Sequence, residues 1–248
     1  PMAIHGSHFG LIQQNVVFCG SQLTGAGIAV EDGSETENLF DSNFVANIRG
    51  SQQPRDSGPN TADGSTPGSA AECFWAAGFN NRYVNNIVST CRNDVQQIVS
   101  GPGFKFIVPA APYNAQNPLF RGADMTNTSQ TVVVTPTHQA IREFRNNEVY
   151  GIAADGLTAW ELGNPYNYDN LNPVIQESLI KDFRVWHTYE GAIYNYPANR
   201  VTVDGLVYRP DVTAFNPYGL PPAFQCGDYR CPDYTIRNSN IHAGGMLG

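Results

Sequence analysis

One short pattern occurs seven times along this chain: a mostly apolar residue, polar turn-formers directly after it, and a branched aliphatic five positions on. The copies start at Ile12, Phe40, Tyr83, Phe144, Ile180, Thr202 and Ile236, and close on Val17, Val45, Val88, Val149, Val185, Val207 and Ile241. A strand, a tight polar corner and a second strand, returning along the chain, mark a solenoid. A further strand signal follows most copies and is announced by glycine: Gly27-Ile-Ala-Val30, Gly103-Phe-Lys-Phe-Ile107, Gly156-Leu-Thr-Ala-Trp160 and Gly191-Ala-Ile-Tyr194. Each coil then carries at least two strands, with a third expected before the pattern starts. Crossovers between parallel strands favour one hand. The expected fold is all-β, a right-handed parallel β-helix with loop insertions. A β-sandwich also has many short strands, but it does not usually repeat the same polar corner seven times. Asn and Asp at that corner tolerate left-handed backbone, and stacked copies can form ladders.

The 22-residue interval between the starts at Ile180 and Thr202 is that of a bare coil. Longer intervals hold insertions rich in Pro, Gly, Asn and Ser, at 50–70, 109–137, 162–173 and 210–232. The repeats run from near the first residue to near the last, so residues 1–248 are expected to form one elongated domain. Met2-Ala-Ile4 already reads as a strand and the chain stops just after its seventh copy, which points to an excerpt of a longer protein.

A net charge of −8, with 14 Lys and Arg, argues against duplex nucleic acid as the partner. An anionic polysaccharide stays open, because a local basic column can act against the global charge. No stretch approaches the roughly 20 apolar residues of a membrane span. Of the 5 cysteines, Cys226 and Cys231 can close a loop disulfide and Cys73 can pair with Cys91, leaving Cys19. Asn127-Thr-Ser129 is a glycosylation sequon.

Superposing the copies turns the pattern into columns of stacked side chains. Six positions after each start the outward column reads Phe18, Ala46, Ser89, Tyr150, Trp186, Tyr208, His242. Its aromatic members are candidates for stacking on sugar faces; burial under an inserted loop is the alternative. One position after each start stand Gln13, Asp41, Val84, Arg145, Lys181, Val203 and Arg237. Arg145 and Lys181 are candidates for a uronic-acid polymer, against the alternative of an ordinary solvated face. Four positions after the start, Glu148 and Arg184 are expected to form an ion pair between coils.

The first coils hold the densest reactive chemistry. The same superposition places His5 beside Gly33, His8 beside Thr36, and Trp75 in line with Asp32. His5, His8, Asp32 and Glu35 thus form a cluster that can activate water, abstract a proton or hold a divalent cation, with Asp32 and Glu35 its candidate ligands and Trp75 a candidate sugar platform. The alternative is a polar corner of capped turn residues. His138, Glu72, Asp155 and Glu190 read as solvent-facing or structural.

The segments Ile4-His-Gly-Ser-His8, Asn15-Val-Val17, Gly27-Ile-Ala-Val-Glu-Asp-Gly33 and Glu35-Thr-Glu-Asn-Leu-Phe40 resemble the β-helix region of the family of the cell-migration-inducing hyaluronan-binding protein and the transmembrane hyaluronidases. Phe74-Trp75, Val84-Asn-Asn86 and Phe144-Arg-Asn-Asn147 fit the same family. The resemblance covers residues 2–108 well and the remainder as generic repeats. It implies an extracellular or cell-surface setting, depolymerisation of hyaluronan in some members, calcium (Ca2+) as a helpful ion, and, by motif position, His5, His8, Glu31 and Asp32 as the catalytic residues. The expected function is to bind or depolymerise an extracellular polysaccharide. The rival is a non-catalytic structural module of a filament, adhesin or surface protein, self-associating or joined to other domains.

Overall fold

The computed structural model describes residues 1–18, 26–33, 35–49, 71–92, 101–107, 113–116, 131–134, 140–162, 177–210, 221–227 and 231–242. Its strands are short because each spans one flank of a coil. The first sheet stacks β1 (Met2–Ile4), β4 (Ile28–Val30), β7 (Phe74–Ala76), β10 (Phe104–Phe106), β15 (Asp155–Leu162), β18 (Gly191–Ala198) and β21 (Phe224–Cys226) in that order. The second stacks β2 (Leu11–Gln13), β5 (Leu39–Asp41), β8 (Arg82–Val84), β13 (Glu143–Arg145), β16 (Ser178–Lys181), β19 (Val201–Asp204) and β22 (Tyr234–Arg237). The third stacks β3 (Val16–Phe18), β6 (Phe44–Ala46), β9 (Ile87–Ser89), β14 (Glu148–Tyr150), β17 (Arg184–Trp186), β20 (Val207–Arg209) and β23 (Asn240–Ile241). All pairings within these three sheets are parallel, so the chain forms a parallel β-helix. Within the insertion at 109–137, β11 (Tyr113–Gln116) and β12 (Thr131–Val134) form an antiparallel pair.

The sevenfold pattern is the turn from the second sheet to the third. One continuous row runs through Ile12, Phe40, Tyr83, Phe144, Ile180, Val203 and Ile236. Six of these are the expected starts. The sixth copy is out by one residue: Val203, not Thr202, stacks on Ile180, and Tyr208, not Val207, stacks on Val185. The corner residue explains the slip. Gln14, Ser42, Asn85, Asn146, Asp182 and Asn238 have φ of 56°, 56°, 58°, 54°, 49° and 50°, and the sixth coil meets this left-handed requirement with Gly205 at 81°. Glycine adopts that conformation without a steric penalty, so it marks the turn better than Asp204 beside it. A second correction concerns 210–232, expected as an insertion. Its Phe224–Cys226 is a strand of the first sheet, paired with β18.

Directly after the left-handed residue stands a buried asparagine ladder. Asn15 donates its backbone N–H and its amide Nδ2 to Asn43 Oδ1, at 3.1 and 2.9 Å. Asn43 does the same to Asn86 at 3.0 and 2.9 Å, and Asn86 to Asn147 at 2.9 and 3.0 Å. The second amide proton of Asn43, Asn86 and Asn147 reaches back to the carbonyls of Ile12, Phe40 and Tyr83. Amides can do this because each carries both donors and an acceptor. The ladder ends where Phe183 and Leu206 occupy the position, both fully buried. In those two coils the corner is filled by apolar packing, and in the seventh Ser239 Oγ accepts the Leu206 N–H at 3.2 Å.

Inward residues of the three sheets meet in one column. Phe40 stacks on Tyr83 and Phe74 on Phe104, with ring centroids 5.0 and 4.9 Å apart. Phe104 and Phe183 each meet Phe144 edge-on at 5.1 Å. Full burial of one such ring contributes about 1.5–3 kcal/mol. Where the first sheet passes closest to the third, the column includes Gly27, Gly103 and Gly156. A Cβ there would meet Val45, Val149 and Val185 at 2.4, 2.8 and 2.9 Å. Disulfides join Cys73 to Cys91 and Cys226 to Cys231, as the spacing suggested. Cys19, the insertion at 50–70, His138 and the sequon at Asn127 lie outside the described residues.

Candidate functional site

The chemistry-bearing corner follows the first sheet in the first two coils. Coil-to-coil spacing is 26 residues where Gly6 meets Asp32 and 28 where His8 meets Thr36. The second coil therefore carries two more residues in this turn than the first. Register also corrects one placement: Ile4 stacks on Val30, which brings His5 beside Glu31 rather than Gly33. His8 beside Thr36 holds, with the Thr36 N–H donated to His8 Nδ1 at 3.3 Å.

The longer turn lets two carboxyls reach back to the first coil. His5 Nδ1 lies 3.1 Å from Asp32 Oδ1 and 3.9 Å from Glu31 Oε2. Asp32 Oδ2 accepts the Gly6 N–H at 3.0 Å, so the carboxylate is held from both sides. The His5 side chain is 73% exposed and that of Asp32 35%. With Nδ1–H donated to Asp32, His5 is in the tautomer whose Nε2 lone pair is available to solvent. A histidine oriented by a carboxylate, with its far nitrogen open, is a general acid–base arrangement.

Glu35 lies behind this pair and is fully buried. Its Oε1 accepts the N–H groups of Asp32 and Gly6 at 3.0 and 3.2 Å, while its Oε2 has no hydrogen-bond partner. Burial pushes the Glu35 carboxyl up, and the neighbouring Asp32 charge adds to the rise against the backbone hydrogen bonds. Its backbone carbonyl is fixed in turn by the Asn81 amide at 3.0 Å. His8 sits apart, its imidazole pushed below the ordinary value by burial.

The residues do not fit the expected calcium ion. Calcium takes about 6–8 oxygen ligands. Both Asp32 oxygens and the Glu35 oxygen facing them are already engaged. Among the described residues no group of three or more His, Cys, Asp or Glu side chains is placed to hold a metal ion.

The expected substrate-binding columns change. Trp75 stacks on Ala29, not in line with Asp32, and is buried with Ala26, Ala77 and Ile107 in a cluster outside the first sheet. Tyr208 leaves the outward ladder: it points inward, donates its hydroxyl to the Pro221 carbonyl at 3.2 Å, and burial pushes its phenol up to about 12. Arg209 takes its place above Trp186. The ladder thus reduces to Tyr150 and Trp186 on adjacent rungs, and the Trp186 indole N–H donates to Glu148 Oε1 at 3.1 Å. Glu148 also pairs with Arg184 at 3.6 Å, the expected ion pair between coils.

On the second sheet the row is Gln13, Asp41, Val84, Arg145, Lys181, Asp204, Arg237, with Asp204 where Val203 was expected. Its cations have acidic neighbours. Arg145 and Arg82 both donate to Glu143 at 2.6 Å. Burial opposes ionisation of Glu143, but these guanidinium bonds outweigh it and hold the carboxyl below its usual range. Hydrogen bonds from Asn238 and Arg237 likewise hold Asp204 down, and Lys181 lies within its electrostatic reach. Glu72 is not solvent-facing: it is fully buried beside Lys105 Nζ at 3.4 Å.

The family model described as CEMIP beta-helix matches residues 1–157. The chain belongs to the CEMIP β-helix family. No curated protein matches it. The CEMIP-matched segment holds the whole His5–Asp32–Glu35 corner, whereas Lys181, Trp186 and Tyr208 lie beyond it. Among the described residues no helix is long and apolar enough to cross a membrane. Sequence reasoning found every residue of this corner but not the part played by Glu35. The available signal was the longer turn, which a fixed superposition of coils conceals.

Proposed function

We propose that this CEMIP-type β-helix acts on an extracellular acidic polysaccharide of the hyaluronan class, with His5 as its proton-transfer group. The observation that carries the reading is the His5 Nδ1–Asp32 Oδ1 contact of 3.1 Å under an imidazole that is 73% exposed. His5 Nε2 takes a proton from the reacting water or sugar carbon. Asp32 keeps the tautomer and stabilises the imidazolium that forms, and Glu31 Oε2 lies 3.9 Å from the same Nδ1. Two disulfides and the family support an oxidising, extracellular setting. Tyr150 and Trp186, on adjacent rungs, offer ring faces to a sugar.

The test is chain shortening of hyaluronan and a panel of acidic glycans, followed by size-exclusion chromatography. His5→Ala and Asp32→Asn each reduce cleavage by roughly 10²–10⁴-fold, the usual share of a general acid–base group. Wild-type cleavage that survives both substitutions overturns the assignment. The paired charges of the second sheet favour a second reading, in which that face is structural. Binding that persists in Arg145→Ala and Lys181→Ala supports this reading for that face alone.

A further inference from the structure

At two other places in the first coils, buried amides tie coil to coil. Asn38 bonds Asn81 at 3.0 Å, and Asn15, Asn43, Asn86 and Asn147 form the longer ladder. At the His5 corner the tie is an acid, and the arrangement departs from the amide pattern in a costly way. Glu35 is fully buried, and among the described residues neither its second oxygen nor the Tyr83 hydroxyl, to which it is electrostatically coupled, has a hydrogen-bond partner. An unsatisfied buried polar atom costs about 1–3 kcal/mol. A glutamine here would supply the same acceptor and add a donor toward the phenol.

What the acid does have is reach onto both members of the pair. One oxygen, Oε1, accepts the N–H of Asp32 itself and the N–H of Gly6, the residue after His5. The same Gly6 N–H is shared with Asp32 Oδ2 at 3.0 Å. Glu35 thus clamps adjacent coils at the two backbone positions that aim the imidazole and the carboxylate. Gly6 is in the left-handed region at φ 56°, which glycine adopts without a steric penalty.

We infer that Glu35 is the positioning residue of the His5–Asp32 pair, its buried Oε1 holding the two backbone N–H groups that aim the imidazole and the carboxylate. The inference rests on the reading of His5–Asp32 as the reactive pair. It adds a role for an interior residue that contacts no substrate.

The His5 tautomer reports on this without any turnover. In the 248-residue chain, ¹⁵N-labelled on histidine, the imidazole nitrogen shifts at a pH where His5 is neutral distinguish Nδ1–H from Nε2–H. Wild type and Glu35→Gln hold the Nδ1–H form, because glutamine keeps the acceptor. Glu35→Met fills the same volume without an acceptor, and the tautomer relaxes to the mixture of a free histidine, as it does in Asp32→Asn. Glu35→Met retaining the Nδ1–H form overturns the inference, and so does Glu35→Gln losing it. If Asp32→Asn leaves the tautomer unchanged, the His5–Asp32 pair itself fails, which is a separate result. Should Glu35→Met not fold, hydrogen exchange in Glu35→Gln decides. Protected Gly6 and Asp32 amides support the clamp, and exchange at the rate of open turns refutes it.

Discussion

Two corners of this solenoid solve the same problem with different chemistry. At the turn between the second and third sheets, Asn43 and Asn86 tie each coil to both neighbours, and every amide proton and oxygen finds a partner. At the turn after the first sheet, Glu35 ties two coils through a single oxygen and leaves the other without a partner. An amide donates and accepts, so it propagates along a stack. A carboxylate only accepts, so it ends where it stands. The difference teaches where to look for function in a repeat fold. Ladders of amides are the low-cost structural solution, and a buried acid in an equivalent role marks a place where something besides stacking is being arranged.

The largest expected effect comes from forcing the ladder to use the acid. Asn86→Asp sets a carboxylate oxygen against the Phe40 carbonyl and Asn147 Oδ1, the two acceptors that the Asn86 amide now serves. It also buries a charge with no cation beside it. The expected loss is roughly 3–5 kcal/mol, the range for an uncompensated buried charge. Urea unfolding at neutral pH measures it. A change under about 1 kcal/mol would break the comparison, because it would show that the amide protons contribute little beyond the acceptor.

How much of this was legible in the sequence follows from the same contrast. The second and third sheets could be read because their shared corner is chemically marked by Asn, Asp and Gly in the left-handed position. First-sheet strands were found where glycine precedes them. Phe74–Ala76 and Phe224–Cys226 escaped because Cys73 and Ala223 stand where Gly27, Gly103 and Gly156 stand in other coils. The slip at the sixth copy arose because Val201, Val203 and Val207 all suit an inward place, and Gly205 at φ 81° was the decisive residue. That slip alone sent Tyr208 to the surface on paper and Val203 into the outward row that Asp204 occupies. At the first corner the reactive residues were visible, but their pairing was not. Register changes by two residues inside one turn, and no fixed offset describes both of its ends.

The converse substitution sharpens the comparison with an intermediate effect. Glu35→Gln turns the acid corner into an amide corner and offers a donor to the Tyr83 phenol. Burial raises the Glu35 carboxyl above its ordinary 4.5, so the folded chain holds that proton more tightly than the unfolded one. Its stabilising share is complete below that ordinary value and is lost as pH rises through the folded-state value. Glutamine does not titrate. Wild type and Glu35→Gln should therefore match most closely in acid, and the variant should gain with rising pH, reaching about 1 kcal/mol or more at neutrality. Melting temperatures recorded from pH 4 to 8 test the sign. A wild type that gains on the variant with rising pH would show that the backbone N–H groups outweigh desolvation and that Glu35 is held as a carboxylate.

His8 supplies the smallest effect, and its sign is opposite. Burial lowers its imidazole below the ordinary 6.5, so here the unfolded chain binds the proton more tightly. The stability it contributes is complete above 6.5 and is lost as pH falls through the folded-state value. Protonation would also place a hydrogen on Nδ1, the atom that accepts the Thr36 N–H. His8→Asn keeps an acceptor near that amide and cannot titrate. Relative to this variant, wild type should lose under about 1 kcal/mol between pH 7.5 and 5.5, a bound set by the partial solvent screening of the ring. Since Glu35 stabilises toward acid and His8 toward neutral pH, the double variant should show a flatter pH dependence than either single one. A double variant as steep as either single one would mean that neither residue sets the pH dependence of this corner.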